Sequence, residues 1–575
     1  MEKDFQQIIE YIRERSQSSE YRQFMIDLLT EMINVRNTPD QPLDVISANE
    51  HKVFDILKTR LQSFAGSDIT FEKSPINPEI AKHPYYTHPY YTADKDHPNG
   101  LPAEQVYKDR YNLFAVVKPK KSSDNGKPVL LNAHVDTVAP FYPARVDETY
   151  VHGRGSCDDK GLVTTLAASM KLLAEIEEKF GPLPAQPRVY QFVIEEETGG
   201  NGSLSAMLDP RFKNYQAIIC ESTSCIAYPA NRGAMWFKME MNLPADCNTA
   251  QAIPFIFVEF AQEGQKLRDE TNEPLFPKSY VHVNLGSMNT FGQHPATVQD
   301  YAAWDLKVKS GSLSADKIAA ILHESIRAGL DEYLKHYEDR TKQINPETNE
   351  PKLKEHYRLT PIDQDGESGF KLEIFGIGGH MSTLLLCDNA LIKSGYILSR
   401  VISVLEEHSD IEAHVALSEK AFDPTKLLVT GGVGFTAVHP MAGLQDRMRQ
   451  AAVRGLERYS QLTKKSVSAQ GIRLTFDMLH NEAYISDVDS PAMKAMETAH
   501  KMMNLPWPEP VAWRASCDAR IYGNNGFDTV TFGPGDAAYA HGDHERIAIG
   551  DLHKGLEMIT LATLSLITGR DESTK

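Results

Sequence analysis

The chain has 575 residues, enough to bury a large core and too many for one ordinary domain, so at least two domains are expected. Its 78 acidic residues outnumber 60 basic ones, a formal charge of -18, which argues against nucleic acid or an anionic membrane as partner because phosphate binding needs basic surface. Six scattered cysteines without a CxxC pair, a charged amphipathic start, and no run near the roughly 18 apolar residues of a membrane span lead us to expect a soluble, cytoplasmic protein.

Apolar periodicity predicts three opening helices over Phe5–Ile12, Tyr21–Val35 and Asn49–Phe64. A tandem pentapeptide follows, His83-Pro84-Tyr85-Tyr86-Thr87 and His88-Pro89-Tyr90-Tyr91-Thr92, which reads as a proline-stiffened surface loop. Tyr111–Val117 is a strand. The short apolar run Pro128–Ala133 is another, and it delivers His134-Val135-Asp136-Thr137 to its carboxyl end, the edge where open α/β sheets build their sites. Alternation puts His134 and Asp136 on one side. The glycine-punctuated loop Gly153–Gly161 then opens onto a helix, Leu162–Phe180, so Asp158 sits on a loop and not on a helix face. The β-rich run Arg188–Ile194 ends in Glu195-Glu196-Glu197-Thr198-Gly199-Gly200, and Tyr215–Cys220 ends in Glu221-Ser222-Thr223.

Arg232–Trp236 reads as the opening of a second domain. Between Leu243 and about Gly369 lies a long region with one helix, Ala315–His336, and polar linkers such as Asn345–Pro351. Gly376-Ile377-Gly378-Gly379-His380-Met381-Ser382 precedes a helix over Ala390–Glu407, and a helix over Gly443–Tyr459 leads to a strand, Ile472–Met478. The α/β pattern then returns with a strand at Phe527–Phe532, the turn Gly533-Pro534-Gly535, the loop Ala540-His541-Gly542-Asp543-His544-Glu545 and a closing helix, Leu552–Ile567.

Borderline cations such as zinc take imidazole nitrogen and carboxylate oxygen, and two ions held close together need a carboxylate to bridge them. His134, Asp158, Glu197, Glu221 and His541 supply that set. Asp136 is placed to accept the remaining ring N–H of His134, and Glu196, beside a ligand but pointing elsewhere, to take a proton from water. A lone His-x-Asp or a run of glutamates is commonplace. Their joint arrival at strand and loop ends is what points to one two-metal centre.

These segments resemble a family, the co-catalytic zinc exopeptidases and deacylases that include acetylornithine deacetylase, succinyl-diaminopimelate desuccinylase, the glutamate-releasing carboxypeptidases and aminoacylase. The likeness rests on Ala133–Thr137, on Gly153-Arg154-Gly155 through Asp158-Asp159-Lys160-Gly161, on Glu196-Glu197 before Thr198-Gly199, on Glu221-Ser222-Thr223, and on Ala540-His541 with Glu545. It implies that His134 and Glu221 hold one zinc ion and Glu197 and His541 the other, with Asp158 bridging, Glu196 as general base and Asp136 orienting His134. Cobalt or manganese would substitute for zinc. It also implies a cis peptide bond at Asp158-Asp159.

The implied fold is α/β: a zinc-exopeptidase-like catalytic domain made from both chain ends (1–235 and 486–575), with an inserted α+β lid and dimerisation domain (236–485) enlarged by an insertion over about 243–369. A homodimer follows from the resemblance, as do His380 as an oxyanion donor to the neighbouring site, Arg520 as a clamp for a substrate carboxylate, and backbone N–H groups lent by Gly533 and Gly535. One departure is Ala437-Val438-His439-Pro440, where many relatives carry Asn-Val-x-Pro. The expected function is metal-dependent hydrolysis of an amide or peptide bond in a small peptide or N-acyl amino acid. Two rivals remain open at this point, a metal-binding or assembly protein without turnover and a two-metal phosphohydrolase. The latter lacks an evident basic phosphate clamp.

Overall fold

Val129–His134 is a strand of six buried residues in a row, the pattern of a strand covered on both faces, and it forms the middle of the larger sheet. The computed structural model describes residues 2–64, 66, 68–290, 294–310, 312–345, 348–364, 367–409, 411–418 and 423–570. They form two compact units: Met1–Gly233 with Pro274–Phe276 and Asn481–Lys575, and Ala234–Glu273 with Pro277–His480.

The first unit is built on a six-stranded sheet in the order Ile69–Pro75, Tyr111–Val117, Arg188–Val193, Val129–His134, Gln216–Cys220, Thr529–Phe532. The last four strands run parallel. Strand Val129–His134 has the next strand in sequence on one side and the following one on the other, so the chain switches direction there and opens a crevice at the carboxyl ends. Helices Lys160–Phe180 and Ile549–Thr568 cover the sheet with almost wholly buried side chains, and helices Glu2–Ser16 and Ser19–Ile33 pack beside them.

The second unit holds two antiparallel sheets of the same topology. One has the order His282–Met288, Lys426–Phe435, Gly233–Asn242, Ile472–Thr475; the other Tyr357–Gln364, Glu367–Phe375, Tyr301–Ser310, Ile411–Leu417. With helices Thr249–Glu270 and Met441–Thr463 in the first, and Ala315–Leu334 and Ala390–Glu407 in the second, each reads β-α-β-β-α-β along the chain. The second copy is nested between two strands of the first. Residues 243–369, read from sequence as inserted material, therefore supply strands to both sheets. The helix Thr249–Glu270 was not expected, because it carries Pro254 and buries the polar Gln251, Glu259 and Glu263, which blur its apolar stripe. Among the described residues no helix is long and apolar enough to cross a membrane.

Candidate metal centre

Three of the four parallel strands of the first unit end in acid or imidazole. His134 closes its strand, and the segments after Val193 and Cys220 carry Glu195–Glu197 and Glu221. Asp158 reaches the same edge from a loop anchored by Glu545. The Glu545 Oε1 atom accepts the N–H groups of Gly155, Cys157 and Asp158 at 2.9, 3.0 and 3.1 Å, while Oε2 pairs with Arg154 Nη1 at 2.5 Å. The Asp158-Asp159 peptide bond is cis, as the family resemblance implied.

The geometry at the centre is compact. His134 Nε2 lies 3.1 Å from one Asp158 carboxylate oxygen, and His541 Nε2 lies 3.1 Å from the other. His541 Nε2 is also 3.0 Å from Glu197. Ligand atoms of His134, Glu196 and Glu221 fall within 4.8 Å of one another, as do those of Asp158, Glu197 and His541, and those of His134, Asp158 and Asp159. Two ligand atoms about 2.0–2.2 Å from one tetrahedral ion stand about 3.3–3.6 Å apart, close to the observed nitrogen–oxygen spacings. Asp136 reaches His134 Nδ1 with its carboxylate at 3.4 Å and its own carbonyl at 3.1 Å. Its two carboxylate oxygens also accept the N–H groups of Glu196 (3.3 Å) and Glu197 (3.1 Å), so one side chain orients the histidine and the glutamate turn together.

Electrostatics show what this cluster lacks. Burial, then the Asp518 carboxylate, raises the pKa of Glu196 well above the ordinary range; burial, then Asp158 and Glu196, does the same to Glu221. Burial opposes protonation of His541, but the Glu197 and Asp158 carboxylates outweigh it and raise its pKa. Asp158 is held low against burial by its hydrogen bonds to His134 and His541. So many buried carboxylates with so few cations form a set that a bound divalent ion would satisfy.

The other candidates fall differently. Arg520 is fully buried, with Nη1 3.9 Å from Glu196 and its guanidinium nitrogens without hydrogen-bond partners among the described residues. Gly533 needs correction as an N–H donor to substrate, because its N–H is already bonded to Thr223 Oγ1 at 2.9 Å. Its lack of a side chain serves packing: a Cβ there would stand 2.1 Å from Leu162 Cδ2 and 2.6 Å from the Glu221 carbonyl. Gly535 adopts φ +88°, with Ser222 and Cys157 against it. His380 belongs to the second unit, where it pairs with Thr297 and its ring lies edge-on to His294 at 5.4 Å.

Sequence reasoning passed over three groups. Asp159, a centre-forming residue here, accepts the N–H of His134 at 3.0 Å. Glu545 stood in a quoted motif without a role. The tandem pentapeptide is not a surface loop: Tyr86, Thr87 and Tyr90 are buried, and Tyr91 donates to Glu195 at 2.5 Å. Its signal was there in the density of aromatic side chains, which a solvated loop has little reason to carry.

Sheet and site together define an α/β protein with a buried imidazole–carboxylate cluster fit to hold metal. Residues 130–565, well over half of the chain, match the family model described as Peptidase family M20/M25/M40, and the chain belongs to that family. A probable carboxypeptidase of Aspergillus terreus is 36% identical over 143 residues, 24% of this chain and 31% of that protein. One of Aspergillus flavus is 30% identical over 252 residues, 40% of this chain and 56% of its own length. The matched segments thus span about a third to about half of these curated relatives. Human carnosine dipeptidase 1 shares the fold at TM-score 0.54 and 12% identity, over 97% of this chain and 99% of its own. The di-peptidase Dug1p of Saccharomyces cerevisiae does so at TM-score 0.54 and 14% identity, over 96% and 98%.

Proposed function

We propose that this protein is a metal-dependent peptidase that hydrolyses the amide bond of a small peptide or an N-acyl amino acid. The observation that carries this reading is Asp158 with an imidazole on each carboxylate oxygen, a bridging arrangement at the carboxyl edge of a parallel sheet. His134, Glu221 and Asp158 would hold one ion, and Glu197, His541 and Asp158 the other. Zinc suits the nitrogen and oxygen donors, and cobalt or manganese would substitute. When bound, the ions supply a Lewis acid for the scissile carbonyl and acidify a water molecule.

The chain's own residues do the rest. Glu196 stands among the ligand atoms, its carboxylate without a hydrogen-bond partner among the described residues, and takes the proton of the attacking water. It then returns that proton to the leaving nitrogen. Burial beside Asp518 raises its basicity, as a general base requires. Arg520, buried at 3.9 Å, is proposed as the countercharge of Glu196, in place of the substrate clamp expected from sequence. Asp136 keeps the His134 ring and the glutamate turn in register. His380 retains its proposed role as oxyanion donor in a cytoplasmic homodimer, on the family likeness alone.

The test is Glu196→Ala. It should keep its metal content and lose turnover of a dipeptide and N-acyl amino acid panel by about 100-fold to 10,000-fold. Unchanged turnover would remove Glu196 from the mechanism, and a wild-type protein loaded with zinc, cobalt or manganese that turns over nothing on the panel would remove the peptidase reading.

A further inference from the structure

Glu195 precedes the two glutamates of the centre and adopts φ +70°, a left-handed conformation disfavoured for any residue with a Cβ. Four donors hold its carboxylate there. Tyr91 Oη and Arg110 Nη2 reach Oε1 at 2.5 and 2.6 Å, and Thr198 Oγ1 and Tyr107 Oη reach Oε2 at 2.8 and 3.1 Å. The Glu195 carbonyl accepts the N–H of Gly200 at 2.7 Å, closing the turn.

Arg110 is the hub behind this carboxylate. It is buried, donates through Nε and Nη2 to Glu50 at 2.9 and 2.6 Å, and supports Tyr91 Oη through Nη1 at 2.9 Å. Its planar fork serves two carboxylates and a phenol at once, which a lysine has no geometry to do.

The two copies of the pentapeptide bracket the turn. The second copy reaches Glu195 in front of it through Tyr91. The first reaches the helix behind it, where the N–H of Thr87 donates to Asn201 Oδ1 at 3.1 Å and Asn201 Nδ2 donates back to the Thr87 carbonyl at 2.7 Å. The counterpart of Tyr91 in the first copy, Tyr86, buries its hydroxyl without a hydrogen-bond partner among the described residues. The copies are therefore alike in sequence and unlike in task.

We propose that Tyr91 and Arg110, acting through Glu195, are positioning residues that aim Glu196 and Glu197 into the metal centre. This rests on the roles given above to those two glutamates. Within the turn, Asp136 holds the N–H groups of Glu196 and Glu197, and the Glu195 conformation sets the direction in which the chain enters. Groups that orient metal ligands from behind change affinity or activity by about 10-fold to 100-fold when lost.

The experiment compares Tyr91→Phe with Tyr86→Phe in the full-length protein, reading kcat and KM on a dipeptide of the panel, zinc affinity by competition with a chromophoric chelator, and the thermal midpoint. Tyr91→Phe should lower kcat about tenfold or more with KM within about twofold, and weaken zinc binding about tenfold. Tyr86→Phe should leave kcat and zinc affinity unchanged. A merely structural tyrosine would lower the midpoint alone. Equal kcat and zinc affinity in the two variants would overturn the proposal. If Tyr91→Phe fails to fold, Thr198→Val removes another Glu195 donor at nearly constant volume and carries the same expectation. Absent turnover in the wild type would sink the peptidase reading, while the zinc titration would still judge the positioning.

Discussion

Replacing Glu545 by glutamine keeps the shape of the side chain and removes its charge. In the native loop, one carboxylate oxygen accepts three backbone N–H groups and the other pairs with Arg154, both side chains being 1% exposed. An amide has a single acceptor oxygen. Turned toward the loop, it points its NH2 at a buried guanidinium; turned toward Arg154, it points the NH2 at three donors. Hydrogen bonds to a charged group contribute about 1.5–3 kcal/mol each, and removing one partner of a buried ion pair costs about 3–5 kcal/mol. The first orientation keeps the three loop contacts in weakened form, so the pair figure of about 3–5 kcal/mol sets the expected loss. The Asp158 loop should loosen with it. Urea unfolding of metal-free protein, followed by circular dichroism, should show an earlier transition, and a chelator competition should show weaker zinc binding. A transition within about 1 kcal/mol of wild type, with zinc affinity within about twofold, would refute Glu545 as the anchor of the loop.

Two further outcomes are expected. Stripping divalent ions with a chelator should abolish peptide turnover and lower the thermal midpoint, both restored by zinc, cobalt or manganese; an ion present at about 100 times its Kd stabilises by about 2.7 kcal/mol, and an unmoved midpoint would show that no ion binds the folded state preferentially. His500 is buried with Nδ1 2.9 Å from the Met496 carbonyl and its ring edge-on to Trp507, and burial lowers its pKa. A base depressed in the folded state contributes stability above its unfolded pKa of about 6.5 and loses it as pH falls. His500→Leu should therefore show a smaller drop in midpoint than wild type between about pH 7.5 and about pH 5, and an equal drop would count against it.

Much of the centre was legible in one dimension because its chemistry sits where parallel strands stop. Runs such as Val129–His134 are apolar throughout, and a polar residue that ends one is conspicuous. The closing helix and the helix after the Asp158 loop were equally plain from their apolar periodicity. Less visible was Thr249–Glu270, which carries Pro254 in its second turn and buries the polar Gln251, Glu259 and Glu263 among its apolar residues, so no clean stripe gives it away. The nested pair of β-α-β-β-α-β sheets was invisible for a related reason: strand order is a property of pairing across more than 100 residues, and no local pattern encodes it.

The amino-acid sequence alone singled out side chains that gather in the cluster, because metal ligands must be of particular types and backbone periodicity places them at strand ends. Tertiary structure alone decided how those side chains are aimed. Tyr91 meets Glu195 across 104 positions of the chain, Arg154 meets Glu545 across 391, and the Gly533 N–H is spent on Thr223 from 310 away. Such partnerships depend on which groups burial forces together and on the need of each buried donor and charge for a mate, conditions that exist only once the chain has closed around them.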